Sequence, residues 1–90
     1  MQVDEIISRV EQICKKQQVS HLLLYGSYAK GTQTQTSDLD FAVIGCDDVR
    51  KVAEEVDLIP TLKKIDILDY DKCKNVYLRE DIDKYGKKIY

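Results

Sequence analysis

The run Asp38-Leu-Asp-Phe-Ala-Val-Ile44 sets two carboxylates, one leucine apart, at the head of an unbroken apolar segment. An apolar stretch this short, preceded by polar residues, reads as a buried β-strand. Residues two apart on a strand point to the same face, so Asp38 and Asp40 are expected side by side where the strand begins. Two like charges that close repel unless a cation sits between them. Hard oxygen ligands of this kind suit Mg²⁺, which takes one or two protein carboxylates and completes its shell with water and substrate phosphates. The pair therefore predicts a metal and a phosphate in one site.

A second feature lies ten residues upstream, where Tyr25-Gly-Ser-Tyr-Ala-Lys-Gly31 follows the apolar strand candidate Leu22-Leu-Leu-Tyr25. Gly26 lets the backbone approach a bound anion closely, and a helix opening at Ser27 would turn its hydroxyl and free amides toward a phosphate. Lys30 could add a point charge, and Tyr28 could place its ring against a nucleotide or its hydroxyl near an acceptor. The spacing matches neither a P-loop nor a dinucleotide fingerprint. A two-metal displacement calls for a third carboxylate, and Lys64-Ile-Asp-Ile-Leu-Asp-Tyr70 offers Asp66 and Asp69. Asp66 falls inside the apolar alternation, where an acid is costly without a role, whereas Asp69 ends the strand and suits a cap. Asp66 is the predicted third ligand.

These motifs sit on an alternating pattern of elements. Val3, Ile6, Ile7, Val10, Ile13 and Cys14 recur at helical spacing, with Glu11 placed to pair with Lys15. The polar run Gly31–Ser37 reads as a loop returning Asp38 toward Gly26. Asp47 or Asp48 caps a helix carrying Val49, Val52, Ala53 and Val56, which Pro60 prevents from continuing. A third strand spans about residues 64–68. A last helix buries Leu78, Ile82 and Tyr85 and ends at Gly86 as a left-handed cap, leaving Ile89 and Tyr90 as a short tail. Helix, strand, helix, strand, helix predicts a two-layer α/β domain with three or four strands whose directions the pattern leaves open.

Ninety residues suffice for one domain, residues 1–90, with a shallow cleft. A net charge of −2 lacks the basic excess that non-specific nucleic-acid binding needs, so a nucleic-acid partner is not expected. Cys14, Cys46 and Cys73 are scattered singly, against a disulfide framework or a zinc site, and fit reduced thiols, with Cys14 in the core. No segment is long enough to cross a bilayer and the first residues lack a signal peptide's regions, so the cytoplasm is the expected location. His21, the lone histidine, reads as a strand-boundary residue. Lys84, Lys87 and Lys88 read as favourable charges at the negative end of the last helix.

Gly26-Ser27, ten residues, Asp38-Leu-Asp40 and a later strand aspartate, Asp66, together resemble the minimal nucleotidyltransferases of the polymerase-β-type superfamily, and the resemblance covers nearly the whole chain. Many relatives carry an arginine directly after the Gly-Ser pair, where this chain has Tyr28; an aromatic residue there is similar to toxin-neutralising members. The resemblance implies an α+β fold, a mixed sheet with helices on one face and the aspartates on the other. It implies two Mg²⁺ ions held by Asp38 and Asp40, with Asp66 holding one of them and helping to deprotonate an acceptor hydroxyl, while Gly26 and Ser27 cradle a triphosphate, with ATP as the expected substrate.

A chain this small has little material to enclose an acceptor, so a partner is expected. The resemblance implies a helical-bundle protein, either a HEPN-type toxin whose tyrosine receives AMP or a subunit presenting a small molecule. The first makes the chain an antitoxin enzyme. The others are a small-molecule transferase, similar to the aminoglycoside-modifying branch and completed by a partner or by self-association, and a binding module that neutralises its partner without catalysis.

Overall fold

The computed structural model describes residues 1–90, and no helix in it is long and apolar enough to cross a membrane. Helix α1 (Val3–Lys16) puts Asp4 and Glu5 in its first turn and Lys15 and Lys16 in its last, charges that suit the helix dipole at both ends. Lys15 meets Glu11 at 2.7 Å one turn back. The chain then turns into β1 (His21–Tyr25), the four-residue helix α2 (Ser27–Lys30), and β2 (Leu39–Ile44). Helix α3 (Val49–Val56) is capped by Asp48, whose side chain accepts from the Lys51 amide at 3.2 Å. Strand β3 (Ile65–Asp69) runs into a single 3₁₀ turn (Tyr70–Lys72), followed by α4 (Val76–Tyr85) and the two-residue strand β4 (Lys87–Lys88).

The strands order as β3-β2-β1-β4 in one mixed sheet. β1 pairs antiparallel with both β2 and β4, and β2 pairs parallel with β3. The parallel pair follows from its connection: α3 and the loop after it carry the chain back to the starting end of β2, the crossover that parallel neighbours require. Helices and the expected small mixed sheet are thus both present, and the directions left open by the sequence are set by this crossover.

Strand alternation divides the sheet cleanly. Leu22 and Leu24 of β1 and Leu39, Phe41 and Val43 of β2 join Ile6, Val10 and Cys14 of α1 and Val52 and Val56 of α3 in the main core. Lys16 and Gln17, at the end of α1, both bond Glu55 of α3 and fasten the two helices on that face. The alternate residues, His21, Leu23 and Tyr25 of β1 and Asp40, Ala42 and Ile44 of β2, therefore look the other way. There, contrary to the implied arrangement with helices on one face only, α4 covers the apolar middle of the aspartate face, because Leu23 and Ala42 present apolar surface on it: Ile82 and Ala42 are buried outside the main cluster, and Gly86 lies against Leu23. The row beyond Leu23 and Ala42 stays open.

Two terminal details differ from expectation. Gly86 is extended (φ −60°, ψ 141°), because the chain passes straight from α4 into β4 without reversing. Its missing Cβ matters for a different reason, since one placed there would collide with the Ile82 carbonyl. Lys87 and Lys88 accordingly belong to an edge strand, and only Lys84 occupies the last turn of α4. The short tail is well tied, with the Ile89 amide on Leu22 O at 2.8 Å and the Tyr90 hydroxyl on Val19 O at 2.9 Å.

Candidate functional site

On the open face, strand register sets Tyr25 opposite Asp40 and Asp40 opposite Asp66, a row of three side chains across β1, β2 and β3. The next row inward is Leu23, Ala42 and Leu68, so the polar row forms the rim of the face that α4 leaves uncovered. Asp66 is thus brought beside Asp40 by the sheet itself. Asp69 lies on the other register set, as the residue leading into the 3₁₀ turn; its side chain makes no cap bond and one of its oxygens is buried without a partner.

Gly26 closes the row from above. Its backbone (φ 72°, ψ −151°) occupies a region essentially restricted to glycine, and a Cβ built on it would stand 2.5 Å from Asp40 Oδ2. The absent side chain is what lets the β1–α2 turn lie against the carboxylate. Ser27 then opens α2, where the Ala29 and Lys30 amides both donate to Gly26 O at 3.1 Å and the Ser27 and Tyr28 amides lead the turn. The structure places Lys30 away from this opening: its ammonium pairs with Asp81 of α4 at 2.7 Å and lies 5.1 Å from the centre of the Tyr85 ring. Tyr28 packs partly against the core, with the Lys63 ammonium 5.2 Å from its ring centre.

The electrostatics follow from crowding acids at a part-buried rim. Desolvation, then the charges of Asp66 and Asp38 and a hydrogen bond with Asp66, push the Asp40 carboxyl up to about 6. Burial, reinforced by Asp40 and Asp66, pushes the Tyr25 phenol up to about 12, so it stays protonated and able to donate at neutral pH. The nearest cation, Lys64, is exposed and meets Asp66 only at 3.9 Å. The row holds excess negative potential.

Whether these residues suit a divalent cation can be judged from that imbalance. Asp66 stands in register beside Asp40 and its charge opposes ionisation of the Asp40 carboxyl, a repulsion that a cation between the two would relieve. An all-oxygen donor pair of this kind fits a hard ion of the Mg²⁺ type. Asp38 precedes the first laddered residue of β2 and adds its charge to the repulsion on Asp40; no three acidic, histidine or cysteine side chains converge as a closed ligand group. The fit therefore rests on Asp40 and Asp66, with Asp38 adjacent.

Two neighbours of the site escape a reading by motif. Tyr25 looks like the last apolar residue of β1, and only the register with Asp40 reveals its place; strand alternation from Leu24 was the available signal. Lys63 lies one residue before Lys64 in a loop, yet it reaches back to the segment leading into Asp38, donating to Ser37 O at 2.8 Å and Gln35 O at 3.4 Å. Nothing in the local sequence marks that contact. His21 is exposed at the start of β1, four residues from the row.

Comparison with known proteins agrees with this architecture. Residues 8–90 match the family described as Polymerase beta, Nucleotidyltransferase, and the chain belongs to that family. Two proteins of Methanocaldococcus jannaschii, named as candidate protein adenylyltransferases, are 31% and 30% identical, each match covering 92% of this chain and 90% of the relative. Among solved structures, a toxin–antitoxin complex with AMP-PNP superposes with a TM-score of 0.68 at 22% identity, over 92% of this chain and 71% of that one. A mutant form of the toxin–antitoxin MntA–HpeT gives 0.66 at 18% identity, over 92% and 70%. At these identities the structural matches establish the fold alone.

Proposed function

We propose that this nucleotidyltransferase moves AMP from ATP to a tyrosine hydroxyl of a HEPN-type helical toxin and so acts as its antitoxin. The observation that carries the reading is the in-register pair Asp40–Asp66, left uncovered by α4 and overhung by a turn with no side chain at Gly26. The relatives named for protein adenylyl transfer support AMP and a protein acceptor, and the toxin–antitoxin neighbours support the kind of partner.

In this reading Asp38, Asp40 and Asp66 hold two Mg²⁺ ions, with Asp66 a ligand of one of them. Magnesium bound there would supply Lewis-acid stabilisation of the charge that gathers on the phosphoryl oxygens during in-line displacement. The Gly26-Ser27 turn binds the triphosphate through backbone amides and the Ser27 hydroxyl, made accessible by the missing Cβ. Asp66, at the sheet's accessible side, orients the acceptor hydroxyl and takes its proton as the new P–O bond forms and pyrophosphate leaves. Tyr28 flanks the turn and Lys30, tied to Asp81, fixes α2 against α4 so that the turn keeps its aim.

The face is shallow, and nothing in the fold encloses an acceptor, so the partner completes the pocket. The experiment is to incubate the chain with ATP, Mg²⁺ and a candidate HEPN-type helical partner, then map modified residues by mass spectrometry. Adenylate on a partner tyrosine supports the proposal. A partner that binds but stays unmodified, while a small hydroxylated molecule accepts AMP, replaces it with the small-molecule transferase; tight binding without any transfer replaces it with a binding module.

A further inference from the structure

Asp40 and Asp66 are set by ladder hydrogen bonds, but Asp38 lies just outside the sheet, at the end of the polar loop Gly31–Ser37. Something else must fix it. The loop's internal bonds, such as the Thr34 amide on Ser37 Oγ at 2.8 Å, shape the turn without anchoring it to the domain. The anchors come from residues 63 and 64: the Leu39 amide donates to Lys64 O at 2.9 Å, and Lys63 Nζ donates to Ser37 O at 2.8 Å and to Gln35 O at 3.4 Å.

An ammonium has three N–H groups. Two of those of Lys63 go to these carbonyls and the remaining side faces the Tyr28 ring, 5.2 Å from its centre. The side chain is part-buried, and it takes backbone carbonyls although Asp57 and Asp66 line the same cavity of about 300 Å³. A lysine held by neutral partners with acids nearby is serving geometry rather than charge pairing. Two of its three donors are thus committed to the loop that leads into Asp38.

We infer that Lys63 is a positioning residue that acts through Asp38, strapping residues 35–37 to the edge of the sheet and to Tyr28 so that the Asp38 carboxylate is aimed beside Asp40. The inference rests on the proposed role of the three aspartates as metal ligands. It also gives Tyr28 a part: its ring is the third wall around the ammonium. An arginine can reach both carbonyls with its planar fork, whereas methionine keeps the stem and removes every donor.

The test is Mn²⁺ binding by the full chain, read by electron paramagnetic resonance of the free ion, with Tm measured on each variant. Lys63→Met should weaken Mn²⁺ binding about 10-fold, as loss of a residue that orients a ligand does, and Lys63→Arg should recover most of it. In an Asp38→Asn background, Lys63→Met should weaken binding no further, because its action passes through that carboxylate. A general structural role would subtract in both backgrounds, and that result overturns the inference. Lys63→Gln serves if the methionine variant fails to fold. Wild-type Mn²⁺ affinity in Lys63→Met, with binding lost in Asp40→Asn, overturns the positioning role alone; Asp40→Asn binding Mn²⁺ as wild type does overturns the metal assignment and the inference with it.

Discussion

Gly26 and Asp40 are mutually exclusive with any side chain between them: a Cβ on the glycine would stand 2.5 Å from the carboxylate oxygen. The pairing links a turn after β1 to a strand residue fourteen positions later and explains why both lie in one site. Gly26→Ala meets a double penalty, from a backbone with φ of 72° and from the collision. Backbone strain of this type costs about 1–3 kcal/mol. The variant should lose stability in that range in urea unfolding and lose nucleotidyl transfer as well, because relief requires Asp40 to move. Unchanged transfer in a destabilised Gly26→Ala protein would separate the turn from the chemistry.

The crowding of Asp40 predicts an unusual sign for Asp40→Asn. A carboxyl raised from 3.8 to about 6 in the folded chain makes ionisation unfavourable there, so its cost to stability is absent below about pH 4, sets in between pH 4 and 6, and is full above. The shift corresponds at full strength to about 3 kcal/mol, reduced to roughly 1 kcal/mol by solvent at this part-exposed rim. At pH 7 the asparagine variant should therefore be more stable than wild type, with Tm higher by about 4–8 °C. The difference should vanish when both are compared below pH 4. A variant less stable than wild type at pH 7 contradicts the crowding.

Lys30 and Asp81 connect α2 to α4 through a partly exposed 2.7 Å pair. A double-mutant cycle with Lys30→Ala and Asp81→Ala should give a coupling of roughly 0.5 kcal/mol in urea unfolding. Asp81→Ala alone should alter the ATP dependence of transfer if the tie aims α2. An ATP dependence identical to wild type, with coupling retained, confines the pair to stability.

Thiol titration reads the core directly. Cys14 is fully buried and its thiol is pushed up to about 12 by desolvation, while Cys46 and Cys73 are part-exposed. An aromatic disulfide reagent should modify two thiols in the native chain and the third only after denaturation. Reaction of Cys14 without unfolding would mean that α1 leaves the sheet readily.

The sequence made the scaffold legible wherever a period was strong. Apolar spacing in α1 and α3 and the alternation through Leu39, Phe41 and Val43 place those elements and their buried faces, and Asp48 caps α3 as its position suggests. Short apolar runs carry no information about partners, so the order β3-β2-β1-β4 and the edge strand at Lys87–Lys88 were not readable. Gly86 shows a limit of single-residue signals: glycine after a helix suggested a left-handed cap, but crowding by the Ile82 carbonyl one turn back, with Leu23 close by, is what selects it. In the site, the spacing of Gly26, Asp38, Asp40 and Asp66 was visible because those residues break an apolar pattern. Tyr25 blends into such a pattern, Lys63 acts across 26 residues of chain, and Lys30's preference for Asp81 depends on how α4 folds back.

The most direct measurement is single-turnover transfer from α-labelled ATP to a candidate HEPN-type helical partner by wild type and by Asp40→Asn, at pH 7 with Mg²⁺ and with the folded state of both verified. Labelled partner is expected with wild type and none with a variant that is folded and more stable. Equal labelling by the two proteins would contradict this expectation, because the Asp40–Asp66 row would then have no part in the transfer.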